Sequence, residues 1–124
     1  MLHRERLRHS AEFRLVYERG KRFDGRLLTA FVLENGLERH RLGITASRKM
    51  AKSAVERNRA KRLLREAYRL SGAQLDGSQR KYDWVLNARR SLLSVKVSAV
   101  VEEFQRILAL IVKDERSASV EVSI

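Results

Sequence analysis

The sequence predicts a single α+β domain, and three observations carry that reading. Two long segments repeat apolar residues with helical period, around residues 60–68 and 100–111. Two short runs, Leu27 to Leu33 and Tyr82 to Ala88, are rich in β-branched and aromatic residues. No proline, low-complexity linker or clear internal repeat divides the 124 residues, a length that suits one domain. The domain is expected over residues 1–114, with an unassigned tail over 115–124.

Taken in order, Ser10 is placed to cap a short helix running to about Arg19, and Gly20 to end it. Phe13, Val16 and Tyr17 share one face of that helix. Leu27 to Leu33 reads as a strand. Glu34-Asn35-Gly36 is a turn signal, which predicts a hairpin into a second strand, Arg41 to Thr45. Ser53 stands three residues before Glu56, the spacing of a capping box. From there Ala60, Leu63, Leu64, Ala67 and Tyr68 make a helical stripe, which Ser71-Gly72 should stop. After a polar loop, Tyr82 to Ala88 reads as a buried strand. A last helix from about Val97 to Lys113 buries Val100, Val101, Phe104, Ile107, Leu108 and Ile111. The order helix, strand, strand, helix, strand, helix suggests a sandwich with the helices on one face.

Charge points to a partner. The chain has 27 Lys and Arg against 15 Asp and Glu, a formal net charge of +12. So large an excess in a small domain opposes compactness unless a polyanion relieves it. Nucleic acid is the first candidate and an anionic membrane the second. No run approaches the ~20 apolar residues of a spanning helix. The basic N-terminus, Met1 to Arg8, has no apolar core after it and reads as a frayed tail or a basic arm, not a signal peptide. The absence of cysteine excludes disulfides and thiolate chemistry. These features fit a cytosolic protein.

On a helical wheel the segment from Arg57 to Arg69 divides sharply. Ala60, Leu63, Leu64 and Ala67 cluster on one side. Arg57, Asn58, Lys61, Arg62, Arg65 and Arg69 cluster on the other, and Arg59 falls towards an edge. Cations at i, i+4 repel and weaken an isolated helix by a few tenths of a kcal/mol per pair. Glu66 alone does not neutralise them, so phosphates are the natural complement. Arg41, Arg48, Lys49 and Lys52 flank the N-terminal end of this helix, which itself favours anions. A solvated charged face is the bland alternative. A DNA recognition helix is another, but it needs a preceding helix and a short turn where a strand and loop stand here.

Aromatic residues are scarce, at 6% of the chain. Phe13, Tyr17, Phe31 and Phe23 beside cations suit stacking on single-stranded nucleic acid. By periodicity alone, Phe13 and Tyr17 on their helix and Phe31 in its strand read as core. No constellation for protein-based catalysis appears. His3, His9 and His40 are scattered, no metal-ligand spacing is present, and no P-loop, dinucleotide fingerprint or nucleophile elbow occurs. Neither catalytic nor metal-binding protein residues are expected.

The run Ala54-Val55-Glu56-Arg57-Asn58-Arg59-Ala60-Lys61-Arg62-Leu63-Leu64-Arg65-Glu66 closely resembles the signature of the bacterial ribonuclease P protein component. Leu42 to Lys49 is similar to the strand and loop that lead into it. Phe13 to Gly20 is similar to the family's aromatic helix, and Trp84 to Arg89 to its last strand. The resemblance covers about Leu7 to Lys113. It implies a two-layer α+β sandwich with a central, mostly antiparallel sheet of about four strands, three helices and a rare left-handed βαβ crossover. It implies an RNA-binding subunit that helps a catalytic RNA remove the 5′ leader of precursor tRNA, one protein per catalytic RNA, in the cytoplasm. The phosphodiester would be hydrolysed by the RNA with Mg²⁺ held mainly by that RNA, and the protein would lower the Mg²⁺ requirement. Arg48, Lys49, Arg57, Asn58, Arg59, Lys61, Arg62 and Arg65 are the expected contacts to the catalytic RNA. Phe13, Tyr17 and Phe31 are the expected contacts to the leader. A structured-RNA-binding or ribosome-assembly protein without a nuclease role is the competing class. Asn87 to Ser91 departs from the family in lacking the proline or glycine often found after the last strand.

Overall fold

Why the chain folds as it does is clearest in its sheet. The computed structural model describes residues 5–122, with side chains described through Ser117. Four strands, β1 (Lys21–Asp24), β2 (Leu28–Glu34), β3 (Arg41–Thr45) and β4 (Tyr82–Ala88), form one sheet in the order β1-β2-β4-β3. β1 and β2 are antiparallel, as are β2 and β4, whereas β3 and β4 run parallel. The sheet is therefore mixed and mostly antiparallel.

The helices are α1 (Ser10–Arg19), α2 (Ala54–Leu70), the short α3 (Gly72–Asp76) and α4 (Val97–Val122). A 3₁₀ turn over Arg90–Ser94 follows β4. α2 connects the parallel neighbours β3 and β4, making the βαβ unit.

Alternation along the strands sorts the two faces. Leu28, Ala30, Val32, Trp84 and Leu86 point into the main core, where Ala60, Leu64 and Ala67 of α2 and Val100, Phe104 and Leu108 of α4 meet them. Trp84 and Phe104 are fully buried with ring centroids 5.3 Å apart. Phe31, Leu33 and Val85 point the other way, where Val16 and Phe13 of α1 and Leu7 pack on them. The helices thus occupy both faces, not one. The reason lies in β2 and β4, which are apolar on both sides and leave a second strip needing cover.

Other expectations are corrected. β2 does not form a hairpin with β3. The turn at Glu34-Asn35-Gly36 exists, with Gly36 at φ +65° and the Leu37 N–H donating to Asn35 Oδ1 at 2.8 Å. It carries the chain past a gap that β4 fills, and β2 pairs instead with β1, a strand too short and charged to stand out by pattern. The α1 cap is His9, not Ser10. The Glu12 carboxylate accepts from the His9 and Arg8 N–H groups at 2.9 and 2.8 Å, which draws Ser10 into the first turn. The segment after Ser71-Gly72 contains α3. Ser53 caps α2 as expected, its Oγ accepting from the Glu56 N–H at 3.4 Å. The N-terminal segment is tied down from Leu7, which is buried and donates its N–H to Leu42 O at 3.1 Å. Met1 to Arg4 lie outside the described residues.

α4 continues to Val122, past the expected end near Lys113. Glu115, on that continuation, is buried and accepts from the Arg80 N–H at 3.0 Å and from Ser78 Oγ at 3.3 Å. Residue 115 is therefore packed against the loop before β4. Ser123 and Ile124 of the expected tail lie outside the described residues. No helix among the described residues is long and apolar enough to cross a membrane.

Candidate nucleic-acid interface

The residues singled out from sequence fall on two separate surfaces. The first is built by α2 and the loop before it. Burying Ala60, Leu64 and Ala67 forces the opposite side of a regular helix outward. Asn58, Arg59, Arg62 and Arg65 are exposed there, and Arg57 and Lys61 are half-buried. Arg48 and Lys49 are exposed in the loop that leads into the helix and share a recess with Lys52, Glu56 and Arg90.

The cations on this surface do different work. Arg57 turns back on the loop, its Nη1 donating to Ala51 O at 3.0 Å and Lys52 O at 2.6 Å. Arg59 leaves the stripe, its Nη1 donating to Leu93 O at 3.1 Å. Arg90 donates to Met50 O at 3.2 Å. These three guanidiniums fasten the loops around the start of α2. Lys61, Arg62 and Arg65, by contrast, have no ion-pair partner among the described residues, and Glu66 is occupied by Arg69.

The second surface is the other side of the sheet. Strand register lays its side chains in rows across the strands. Arg22, Phe31, Val85 and Gly43 form one row, and Asp24, Thr29, Asn87 and Thr45 form the next. α1 crosses these rows. The Phe13 ring sits over Gly43 so closely that a Cβ there would meet its Cε1 at 2.5 Å. Glycine is required at this position to admit the ring. One turn on, Tyr17 meets Phe31 edge to face with centroids 4.8 Å apart, and its hydroxyl donates to Asn87 Oδ1 at 2.9 Å. Thr45 Oγ1 donates to the same oxygen at 2.6 Å. Arg22 lies 5.4 Å from the Phe31 centroid, a cation–π distance, and also pairs with Asp24 at 3.0 Å.

Phe13, Tyr17 and Phe31 are thus brought together, and none is fully buried. Phe13 and Phe31 are half-buried, and Tyr17 is 38% exposed. Their floor is held by Arg41, which bridges Asp83 at 2.6 Å and Glu12 at 2.7 Å. The Asp83 hydrogen bonds raise the Arg41 pKa further above its already high ordinary value. Partial burial pushes the Glu12 carboxyl up, but the His9 and Arg8 N–H groups and Arg41 outweigh it and hold it below the usual range.

Sequence reasoning missed Arg22, Thr45 and Asn87 as parts of this surface. Arg22 and Thr45 need the register to be placed. Asn87 did carry a signal: an amide at the end of an otherwise apolar strand needs a polar reason to be there. No group of three or more His, Asp or Glu among the described residues could hold a metal ion.

Comparison with known proteins places the chain in a family. The sequence profile of the Ribonuclease P family matches residues 1–112. The ribonuclease P protein component of Clostridium acetobutylicum is 36% identical over 117 residues, covering 90% of this chain and 95% of the relative. That of Clostridium botulinum is 45% identical over 87 residues, covering 69% and 75%. The solved ribonuclease P protein of Thermotoga maritima superposes with a TM-score of 0.72 at 30% identity, covering 84% of this chain and 94% of that one. The matched region contains α2, α1 and every strand, and so both surfaces: the chain belongs to the family of ribonuclease P protein components, the protein partners of an RNA subunit in an endoribonuclease of tRNA processing.

Proposed function

We propose that this chain binds the catalytic RNA of ribonuclease P through α2 and the single-stranded 5′ leader of precursor tRNA through the α1 side of the sheet. The observation that carries the reading is the placement of two surfaces of different chemistry on opposite sides of one sheet. One offers cations on a helix without ion-pair partners among the described residues, as a folded RNA's phosphates require. The other offers aromatic edges and an arginine over a flat sheet, as unstacked bases require.

In this division of labour the RNA and the Mg²⁺ it holds hydrolyse the phosphodiester. Arg62, Arg65, Lys61, Arg48 and Lys49 neutralise phosphates of the catalytic RNA, Asn58 hydrogen-bonds to it, and Arg57 and Arg59 keep that surface in shape. Phe31, Tyr17 and Phe13 hold the leader in line with the cleavage site. Tethering both RNAs to one protein, one copy per catalytic RNA, replaces part of the charge screening that Mg²⁺ otherwise supplies, so less Mg²⁺ is needed. The work is done in the cytoplasm.

The test is cleavage of a precursor tRNA by a bacterial ribonuclease P RNA at low Mg²⁺, with and without the protein. Cleavage at the mature 5′ end only when the protein is added is the expected result. Binding of the cognate RNA with no gain in cleavage would replace this reading by that of a general structured-RNA-binding protein.

A further inference from the structure

Asn58, Arg62, Arg65 and Arg69 stand at i, i+4, i+7 and i+11, a single line along α2. Towards the C-terminal end of the helix the line runs into a cavity of about 430 Å³, walled by Arg62, Arg65 and Arg69. Its inner lining is partly apolar, with the rings of Tyr68 and His40 and with Leu75. That lining is anchored in the core. Tyr68 packs on Phe104 with ring centroids 5.8 Å apart. His40 is buried, its Nδ1 accepting from the Tyr82 N–H at 3.0 Å and from Trp84 Nε1–H at 3.2 Å, which leaves its Nε2–H to donate to Leu75 O at 3.2 Å. Glu5, Glu38, Glu66 and Asp76 contribute carboxylates to the lining, that of Glu66 already paired with Arg69.

Cavities of ~300–1,000 Å³ are the size that encloses a small ligand. The chemistry narrows the class. A free phosphate or polyphosphate is repelled by the carboxylates of the lining, and a purely apolar ligand leaves the Arg62 and Arg65 guanidiniums unused. A nucleotide uses all of it: phosphate on arginine, base on the rings of the wall, and base amino groups on carboxylates. Continuity with the cationic line of α2 says where the nucleotide comes from, because a strand whose phosphates follow Asn58 to Arg65 arrives at the opening.

We propose that this cavity takes one unstacked nucleotide of the RNA bound by α2, with its phosphate on Arg62 and Arg65, its base against Tyr68 and His40, and a preference for bases that carry an amino group over uracil. The inference rests on the catalytic-RNA reading above and adds a base-selective contact to it.

The protein has one tryptophan, and its indole N–H touches His40, so that N–H resonance reports on the cavity. The intact protein is titrated with guanosine 5′-monophosphate and with uridine 5′-monophosphate. The guanosine nucleotide should shift the Trp84 indole signal saturably, and the uridine nucleotide much less. Gly72 lines the cavity, and a Cβ there meets nothing within 4 Å. Gly72→Leu should therefore block the cavity without strain in the fold. It should abolish the shift and weaken ribonuclease P RNA binding about tenfold, the loss of one stacked base, with the salt dependence unchanged. Asp76→Asn, at an exposed position, is the second variant and should erase the guanosine preference. Equal shifts with both nucleotides, or a folded Gly72→Leu that binds the RNA as tightly as wild type, overturn the proposal. Failure of the wild-type protein to bind ribonuclease P RNA overturns the reading beneath it, and is seen separately because the nucleotide titration needs no RNA.

Discussion

The two sides of the sheet are built from the same strands and end up with opposite characters. On the α2/α4 side, Trp84, Leu86, Leu28 and Ala30 are fully enclosed. On the α1 side, one ten-residue helix covers only part of the strip, and Phe13, Tyr17 and Phe31 stay partly accessible beside Arg22, Asn87 and Thr45. The lesson is that an aromatic residue's role is set by how completely its neighbours close over it. On the closed side rings supply packing; on the open side they supply a surface.

The largest expected effect breaks the closed side. Trp84→Ala removes a fully buried ring and the His40 contact and should cost about 3–5 kcal/mol of stability. Phe31→Ala should cost clearly less stability but weaken precursor-tRNA binding by about 1–3 kcal/mol, with mature tRNA little affected. Denaturant unfolding and filter binding on both variants read the contrast, and equal losses of stability would erase it.

Glu103 sharpens the same comparison from α4. Its buried carboxylate accepts from the Arg26, Leu27 and Leu28 N–H groups at 2.7, 2.8 and 2.9 Å, pinning the β1–β2 turn beneath the core. We predict that Glu103→Ala costs about 2–3 kcal/mol by stranding those donors. A melting curve like that of wild type would show that water replaces the carboxylate without cost.

Within α2 the expected effects are smaller and separable. Arg62→Ala should lower the slope of log affinity against log salt for ribonuclease P RNA by about one phosphate's worth, ~0.7–0.9. Arg57→Ala should lower it less and instead loosen the loop over residues 47–53, because its guanidinium is spent on Ala51 and Lys52. Identical slopes for the two variants would refute the distinction between contact and support.

The smallest effect is with pH. Burial, reinforced by Lys81, pushes His40 below the ordinary imidazole value of 6.5, against the opposing bonds to Leu75 and Tyr82. The unfolded chain then takes up a proton that the folded one refuses. The stabilisation is complete above pH 6.5 and is lost as pH falls through the lowered value. Unfolding measured across this range in wild type and His40→Gln checks the sign: the difference between them should shrink as the solution is acidified.

What the sequence determined by itself is what depends on near neighbours along the chain. The α2 stripe, its Ser53 cap and its stop at Ser71-Gly72 were legible because helical hydrogen bonds and caps span a few residues. β4 was legible because seven largely apolar residues leave few alternatives. The cationic line of α2 followed from those positions, and the family signature lies on it. Only the tertiary structure decided what depends on pairing across the chain. It set β4 between β2 and β3, made a strand of the charged segment Lys21–Asp24, and placed α1 on the second face. It also separated Arg57 and Arg59, tied to backbone carbonyls, from Arg62 and Arg65, whose charge is uncompensated among the described residues, a division that no helical wheel contains. Strand order and side-chain partnership depend on which distant surfaces are buried together, and that is settled by the free energy of the whole core, not by local pattern.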